Sequence, residues 1–282
     1  MTKKTFGWTG EPVAVIGQGT WDLPESGTRL KEAISALRRG TDLGMTHIDT
    51  AEMYGAGRVE EIVGEAIAAL PRSSLFITSK VLPENASYKG TIAACERSLR
   101  RLRIEHLDLY LLHWPGSHPL SETMRALEEL TAQGKARYIG VSNFDLAELQ
   151  EAQSHLDRAR IAANEVFYTP AERGIETRLL PYCREQEIAV IGYTPFGRGR
   201  VLRKGSKGND AFEKIAAKHR KTPRQVVLNF LTRDPILFTI PKAAKIAHVE
   251  ENAGSAGWEL DADDLAAIDQ AFPVVEGPLA SV

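Results

Sequence analysis

Thr46-His47-Ile48-Asp49-Thr50-Ala51-Glu52-Met53-Tyr54-Gly55 decides how this chain is read. A short apolar strand runs into Asp49 and then breaks into polar residues. Tyr54 follows five positions later, in a turn closed by Gly55 and Gly57. A free phenol has a pKa of about 10 and is a poor acid at neutral pH. A carboxylate and a phenol set together this way call for a cation, and the rest of the sequence supplies one.

Outward from that stretch, strand and helix patterns alternate. On its N-terminal side, Lys4–Trp8 and Pro12–Ile16 read as a small hairpin around the turn Thr9-Gly10-Glu11. Gly17-Gln18-Gly19-Thr20-Trp21 follows and resembles half a dinucleotide fingerprint, but position 22 is Asp where the third glycine belongs. Leu30, Ile34 and Leu37 share a helical face that ends at Gly40 and Gly44. On the C-terminal side, Val59, Ile62, Val63, Ala66, Ile67 and Leu70 mark a helix. Leu75–Ser79 is a strand that ends in Lys80, and Thr91–Leu102 is a helix. Leu107–Leu112 is a nearly unbroken apolar strand, the pattern of a parallel strand covered on both faces, and it ends in His113-Trp114-Pro115.

Met124, Leu127 and Leu130 mark the next helix, and Tyr138–Val141 is a strand ending in Ser142-Asn143. Leu146–Leu156 is a helix, Ala162–Tyr168 a strand through Asn164-Glu165, and Arg178–Gln186 a helix. Ile188–Gly192 is a strand ending in Tyr193-Thr194-Pro195-Phe196-Gly197, and Gly197–Asn209 reads as a mobile loop. Thr222-Pro223-Arg224-Gln225 is a capping box that opens the last long helix, and Phe238–Ile240 is the final strand, before Pro241-Lys242. Roughly eight such units predict an (β/α)8 TIM barrel with an N-terminal β-hairpin, as a single domain over residues 1–282. An open doubly wound sheet is the alternative, and the broken glycine fingerprint disfavours it.

Composition narrows the function. The chain has 282 residues, 43% hydrophobic and 26% charged, which is the make-up of an ordinary globular protein. A net charge of −2 gives no reason to expect nucleic acid or a membrane as partner. Cys95 and Cys183 form no CxxC pair, and no apolar run approaches a membrane span, so a reducing cytoplasm is expected. His106, His113 and His118 lack HxxH or HExxH spacing, so no metal site is expected.

Asp49, Lys80 and His113 each end a different strand, and in a barrel those ends converge on one mouth. Read singly, Asp49 and Lys80 make an ion pair at a rim, His113 a satisfied core histidine, and Tyr54 a loop aromatic. Read together, they form a proton donor with a lysine that lowers the phenol's pKa, an aspartate that holds the lysine, and an imidazole that orients a carbonyl. No nucleophile accompanies them, so the hydride must come from a second substrate, most simply a nicotinamide. Lys80 alone also permits a Schiff base, as in barrel aldolases.

The chain closely resembles the aldo-keto reductase family, and a short prokaryotic-type member of it. The matching stretches are Ile48–Gly55, Ile77–Lys80, Leu109–Pro115, Ile139–Phe144 and Ile240–Lys242, in this order. The resemblance implies a catalytic set of Tyr54, Asp49, Lys80 and His113. It implies NADP(H) as cofactor, with NAD(H) weaker. Contacts to that cofactor are implied for Gly19, Thr20 and Asp49, and for Ser142, Asn143 and Glu165 at the carboxamide. Tyr193 is implied to stack on the ring, with Thr194, Pro195, Phe196, Gly197 and Arg198 toward the pyrophosphate. Ile240, Pro241, Lys242, His248, Glu251 and Asn252 are implied at the adenosine end.

Glu165 stands where Gln is common, and a carboxylate can accept from the carboxamide NH2 but cannot donate to its oxygen. His248 stands where NADP-preferring members often carry Arg, and Ala243 where they often carry Ser or Thr. Trp21, Met53, Trp114 and Phe144, with Tyr54 and His113, are expected to line a pocket for aldehydes and ketones. The segment after Phe272-Pro273 is expected to be short and the pocket open. A monomer is expected, and a non-enzymatic redox-sensing subunit is the remaining alternative.

Overall fold

In a computed structural model that describes residues 1–280, the chain builds two sheets. Strands β1 (Lys3–Thr5) and β2 (Pro12–Ala14) pair antiparallel, with Lys4 opposite Val13. The hairpin is shorter than its sequence pattern, because Gly7–Thr9 turns into a 3-10 segment. Its tip docks under the barrel. Trp8 Nε1 donates to the Ile161 carbonyl at 2.9 Å, and the Trp8 N–H donates to Glu187 O at 2.8 Å. Gly7 has φ +55°, and a Cβ there would lie 2.2 Å from Glu187 O, so this approach requires glycine. Phe6 is fully buried and packs its ring 5.0 Å from both Phe76 and Phe238, which closes the N-terminal end of the barrel.

The second sheet has eight parallel strands in sequence order. They are β3 (Gln18–Gly19), β4 (His47–Asp49), β5 (Phe76–Val81), β6 (Leu107–Leu112), β7 (Ala136–Ser142), β8 (Ile161–Phe167), β9 (Ala189–Tyr193) and β10 (Leu237–Thr239). The two outer strands meet. Parallel bridges join Ile16 to Thr239 and Gly19 to Lys242, and the Gly17 N–H donates to Thr239 O at 2.8 Å. A Cβ on Gly19 would lie 2.5 Å from Ile240 O, so the seam is tight. The stretch read as half a fingerprint is therefore the first barrel strand. Two residues, one of them glycine, carry too little pattern to announce it.

Helices α1 (Gly27–Asp42), α2 (Arg58–Ile67), α3 (Tyr88–Leu102), α4 (Leu120–Ala132), α5 (Leu146–Ser154) and α6 (Leu179–Glu185) alternate with the strands. Both α7 (Lys207–His219) and α8 (Pro223–Leu231) lie between β9 and β10, and α9 (Ile246–Ala253) and α10 (Ala262–Ala271) follow β10. Thr222 Oγ1 accepts from the Gln225 N–H, and Gln225 Oε1 accepts from the Thr222 N–H, so the capping box at α8 forms as its sequence requires. Sequence reading passed over α7, α9 and α10, whose apolar positions are sparse. None of the described helices is long and apolar enough to cross a membrane.

Strand alternation sorts the core into two layers. Ile48, Ile77, Tyr110, Val141, Val166 and Val190 pack outward against the helices. Phe76, Leu109, Leu111, Ala163, Ala189, Ile191 and Phe238 fill the interior. The inward set holds the functional side chains: Asp49, Lys80 and Glu165 continue, at the C-terminal ends, the same inward rows that Phe76 and Ala163 begin.

Candidate active site

Lys80 is the centre of the site. Its side chain is fully buried, and Nζ donates to Asp49 Oδ1 at 2.6 Å, to Asp49 Oδ2 at 2.8 Å and to Thr50 O at 3.1 Å. Glu165 Oε1 lies 3.4 Å from the same nitrogen. These residues come from β4, β5 and β8 and meet because parity turns each of them inward at one level.

The Tyr54 ring sits with its centroid 5.4 Å from Lys80 Nζ and 5.9 Å from the His113 ring, which meets it at 70°. Its loop winds tightly: Gly55, Ala56 and Gly57 have φ of 54°, 50° and 94°. Ala56 thus holds a left-handed conformation unusual for a residue with a Cβ, and such strain gathers at functional loops. Asp22, Asn143, Thr194 and Arg198, around the same mouth, are also left-handed.

Burial dominates the ionisation of the cluster. The Tyr54 phenol is raised above its usual pKa, chiefly by desolvation; Lys80 pulls it down without prevailing. The expected net lowering of Tyr54 by Lys80 is thus corrected: Lys80 acts in the expected direction, but desolvation is larger, and the phenol rests protonated. Lys80 is raised, since Asp49, Glu165 and Tyr54 together outweigh the burial that would lower it. His113 is pushed down to about 2 by burial and then by Lys80, so its imidazole is neutral. His47 sits one layer below, with Nε2 3.1 Å from Thr78 Oγ1, and is lowered to about 3 for the same two reasons.

Beside this cluster, Asn143 uses its left-handed backbone (φ 62°) to bridge three strand ends. Its Nδ2 donates to His113 O at 3.0 Å, and its Oδ1 accepts from the Tyr193 hydroxyl at 2.7 Å. A cavity of about 830 Å³ opens over the whole group. Its walls include Gly19, Thr20, Trp21, Asp49, Met53, Tyr54, His113, Trp114, Ser142, Asn143, Glu165, Tyr193, Thr194, Arg198, Ile240 and Lys242. Arg198 lies 5.2 Å from the exposed Trp21 ring, as a cation over an aromatic face.

Several expected residues stand elsewhere. Phe144 is fully buried in the sheet–helix layer and touches a small side cavity, not the main one, so its place in the substrate pocket is corrected. Alternation from the outward Val141 would turn residue 144 inward, but Asn143 is left-handed (φ 62°) and breaks the alternation just before it. Pro195, Phe196, Gly197, Pro241, His248, Glu251 and Asn252 lie outside the walls of the main cavity. Phe196 carries the Arg224 guanidinium 4.0 Å over its ring, and Asn252 is buried. His248 is exposed on α9.

Conversely, Pro115, Asp145, Glu148, Pro278 and Leu279 line the cavity and were missed. Asp145 and Glu148 form the capping box of α5, a spacing visible in the sequence directly after a strand end. Pro278 and Leu279 carry no such signal; they reach the mouth only because the terminal segment folds back over it.

Among the described residues, His219, Asp261 and Asp264 have metal-ligand spacing. Lys218 Nζ already donates to both carboxylates, so this group is an ion-pair network at the start of α10. Both cysteines are buried free thiols, each pushed up to about 12 by burial.

Comparison with known proteins adds the family. Residues 15–272 match the model of the aldo/keto reductase family. The chain is 43% identical over 281 residues to the methylglyoxal reductase YeaE of Escherichia coli (strain K12), with 99% of each chain covered. It is 38% identical over 256 residues to a glyoxal reductase of Bacillus subtilis (strain 168), covering 90% of this chain and 87% of that one. Among solved structures, an aldo/keto reductase from Klebsiella pneumoniae in complex with NADP and acetate superposes with a TM-score of 0.92 at 39% identity, over all of both chains. A closed eight-stranded barrel with a tyrosine, a lysine and two carboxyls at its mouth, matched by that family's model almost from end to end, leaves one assignment: this chain belongs to the aldo/keto reductase family.

Proposed function

We propose that the protein reduces small aldehydes and ketones to alcohols with NADPH. The observation that carries the reading is the Lys80 cluster at the floor of the cavity: a buried ammonium fixed by Asp49, beside a protonated phenol and a neutral imidazole. Bound nicotinamide supplies the hydride. Tyr54 gives its proton to the carbonyl oxygen as negative charge develops there. Lys80 stabilises the phenolate left behind, Asp49 holds Lys80 in place, and the neutral His113 orients the carbonyl.

The residues present fit such a cofactor. Glu165, in the cavity wall, carries a buried side-chain oxygen, Oε2, with no partner among the described residues, and would hold a carboxamide there. Ser142, Asn143 and Tyr193 surround that place, Gly19, Thr20 and Ile240 form the adjoining wall, and Arg198 and Lys242 put cations along the mouth. Lys242 suits a 2′-phosphate, which favours NADPH over NADH.

Relatives named for methylglyoxal and glyoxal reduction put small dicarbonyls first among substrates to try. Trp21, Met53, Trp114, Pro278 and Leu279 give the substrate end an apolar wall. We read residues 1–282 as one barrel domain acting as a monomer in the cytoplasm, a reducing compartment that suits two free thiols.

The bonding of Lys80 disfavours the Schiff-base reading. Lys80 is pinned by three hydrogen bonds and held protonated, whereas an attacking amine must be neutral. The test is NADPH oxidation followed by absorbance across a carbonyl panel. Steady turnover supports reduction. No turnover with any carbonyl, together with borohydride-trapped substrate on Lys80, overturns it.

A further inference from the structure

Two carboxyls line the floor of this cavity, and one cation lies buried against both. Lys80, Asp49 and Glu165 are 0%, 1% and 2% exposed. Were all three ionised, a net negative charge would be enclosed where water cannot solvate it, and such a group takes up a proton instead. The geometry says which carboxyl takes it. The three Lys80 protons go to Asp49 Oδ1, Asp49 Oδ2 and Thr50 O. Glu165 Oε1 lies beyond them at 3.4 Å, and Glu165 Oε2 has no partner among the described residues. That oxygen belongs to a side chain in the cavity wall.

The groups around Glu165 favour its neutral form on balance, with Lys80 alone opposing. Asp49 from β4 disfavours its charge, and Lys80 from β5 is committed to Asp49. Tyr54, in the loop after β4, is itself disfavoured as a phenolate by Glu165. His113, after β6, is neutral and offers no second cation. Tyr193 on β9 directs its hydroxyl to Asn143. Burial and then Asp49 hold the Glu165 carboxyl well above the usual carboxylate range, against the pull of Lys80.

We propose that Glu165 is a carboxylic acid in the resting protein at neutral pH, and that its O–H on Oε2 donates a hydrogen bond to the carboxamide oxygen of the bound nicotinamide. The ligand half of this rests on the proposed function; the proton half does not. A neutral acid offers, as a side-chain amide does, both a donor and an acceptor at this position, which removes the difficulty that a carboxylate raises there. It also adds a dependence that an amide lacks. When pH rises enough to ionise Glu165, the donor becomes a buried charge, and cofactor affinity falls.

The proton is read directly by infrared difference spectroscopy between wild type and Glu165→Gln without cofactor. A protonated carboxyl has a C=O stretch clear of the amide and carboxylate bands. At pH 7 the wild type shows that band and the variant lacks it. If the variant loses only carboxylate bands, the proposal is overturned, whatever the protein binds.

The donor is read by NADPH and NADP+ titration, using quenching of protein fluorescence, in wild type, Glu165→Gln and Glu165→Leu across pH 6–10. The glutamine variant, which keeps a neutral donor, binds like wild type at pH 7 and stays level as pH rises, while wild type weakens. The leucine variant, with no polar group, binds about tenfold more weakly at pH 7. Leucine binding as tightly as wild type, or a wild type as level as the glutamine variant, overturns the donor role. If wild type itself binds neither cofactor, the proposed function fails, and the infrared band still decides whether Glu165 holds a proton.

Discussion

Replacing Lys80 by methionine removes the one ammonium in the cluster while keeping an unbranched side chain of similar length. The magnitude follows from position. Nζ is 5.4 Å from the Tyr54 ring centroid. At an effective dielectric constant of about 20, a unit charge at that distance is worth about 3 kcal/mol, or about two pKa units. Tyr54 is already raised by burial, so without Lys80 it moves higher still.

If most of the phenolate charge is present at the transition state, kcat falls about 10²-fold, and the rate's alkaline dependence shifts upward. Stability falls as well. Removing one partner of a buried ion pair costs about 3–5 kcal/mol, because Asp49 is left uncompensated. The double variant Lys80→Met with Asp49→Asn separates the two effects. It regains most of the lost stability in urea unfolding, since no buried charge remains, but does not regain the rate. The assay is NADPH absorbance with a small dicarbonyl from pH 5 to 10, on protein shown to be folded by circular dichroism. A rate within threefold of wild type, or a double variant whose activity returns with its stability, refutes a catalytic role for Lys80.

Other expectations are as concrete. Tyr54→Phe lowers turnover by about 10²–10⁴-fold while NADPH still quenches protein fluorescence; threefold or less would remove Tyr54 as the proton donor. Lys242→Ala weakens NADPH about tenfold and NADH little, and the difference shrinks as salt is raised; His248→Arg, outside the cavity wall, improves NADPH by less than Lys242→Ala impairs it, and the reverse order would relocate the 2′-phosphate site.

Acid should act through His47. Its folded pKa of about 3 lies below the unfolded value of about 6.5, so the unfolded chain binds the extra proton and stability drops as pH falls from 6.5 toward 3. Glu165, raised in the fold, works in the opposite direction above its unfolded value. Comparison with His47→Gln isolates the histidine: between pH 7 and 4.5 the variant gains on wild type by about 2–3 kcal/mol, and parallel stability curves would show that His47 is not buried neutral. Gly19→Ala lowers stability by about 1–3 kcal/mol, because its Cβ would meet Ile240 O at the barrel seam; an unchanged melting temperature would mean the seam can open.

What the sequence alone determined lies in periodicity and in strand endings. Near-continuous apolar runs such as Leu107–Leu112, alternating with helical faces, are enough to require a parallel sheet, because such strands must be covered on both sides. A polar residue at the end of each run then falls at one mouth of a barrel, which is why Asp49, Lys80 and His113, with Tyr54 just beyond, were legible as one group.

What only the tertiary structure decided are the matters of seam, parity and charge. Gln18–Gly19 pairs with Ile48–Asp49 on one side, and the seam closes on the other because Thr239 bridges Ile16 and Lys242 bridges Gly19, contacts more than 200 residues distant in sequence. Phe144 faces outward and Asn143 bridges inward because Asn143 itself is left-handed and turns the chain there. Pro278 and Leu279 reach the mouth by a fold-back that no local pattern encodes. The pKa order of the cluster could not be read from residue types at all. A lysine beside a tyrosine lowers the phenol in water, but desolvation at the floor of a packed barrel is larger and reverses the sign, and the same desolvation, with Asp49 beside it, holds the Glu165 carboxyl above the usual carboxylate range.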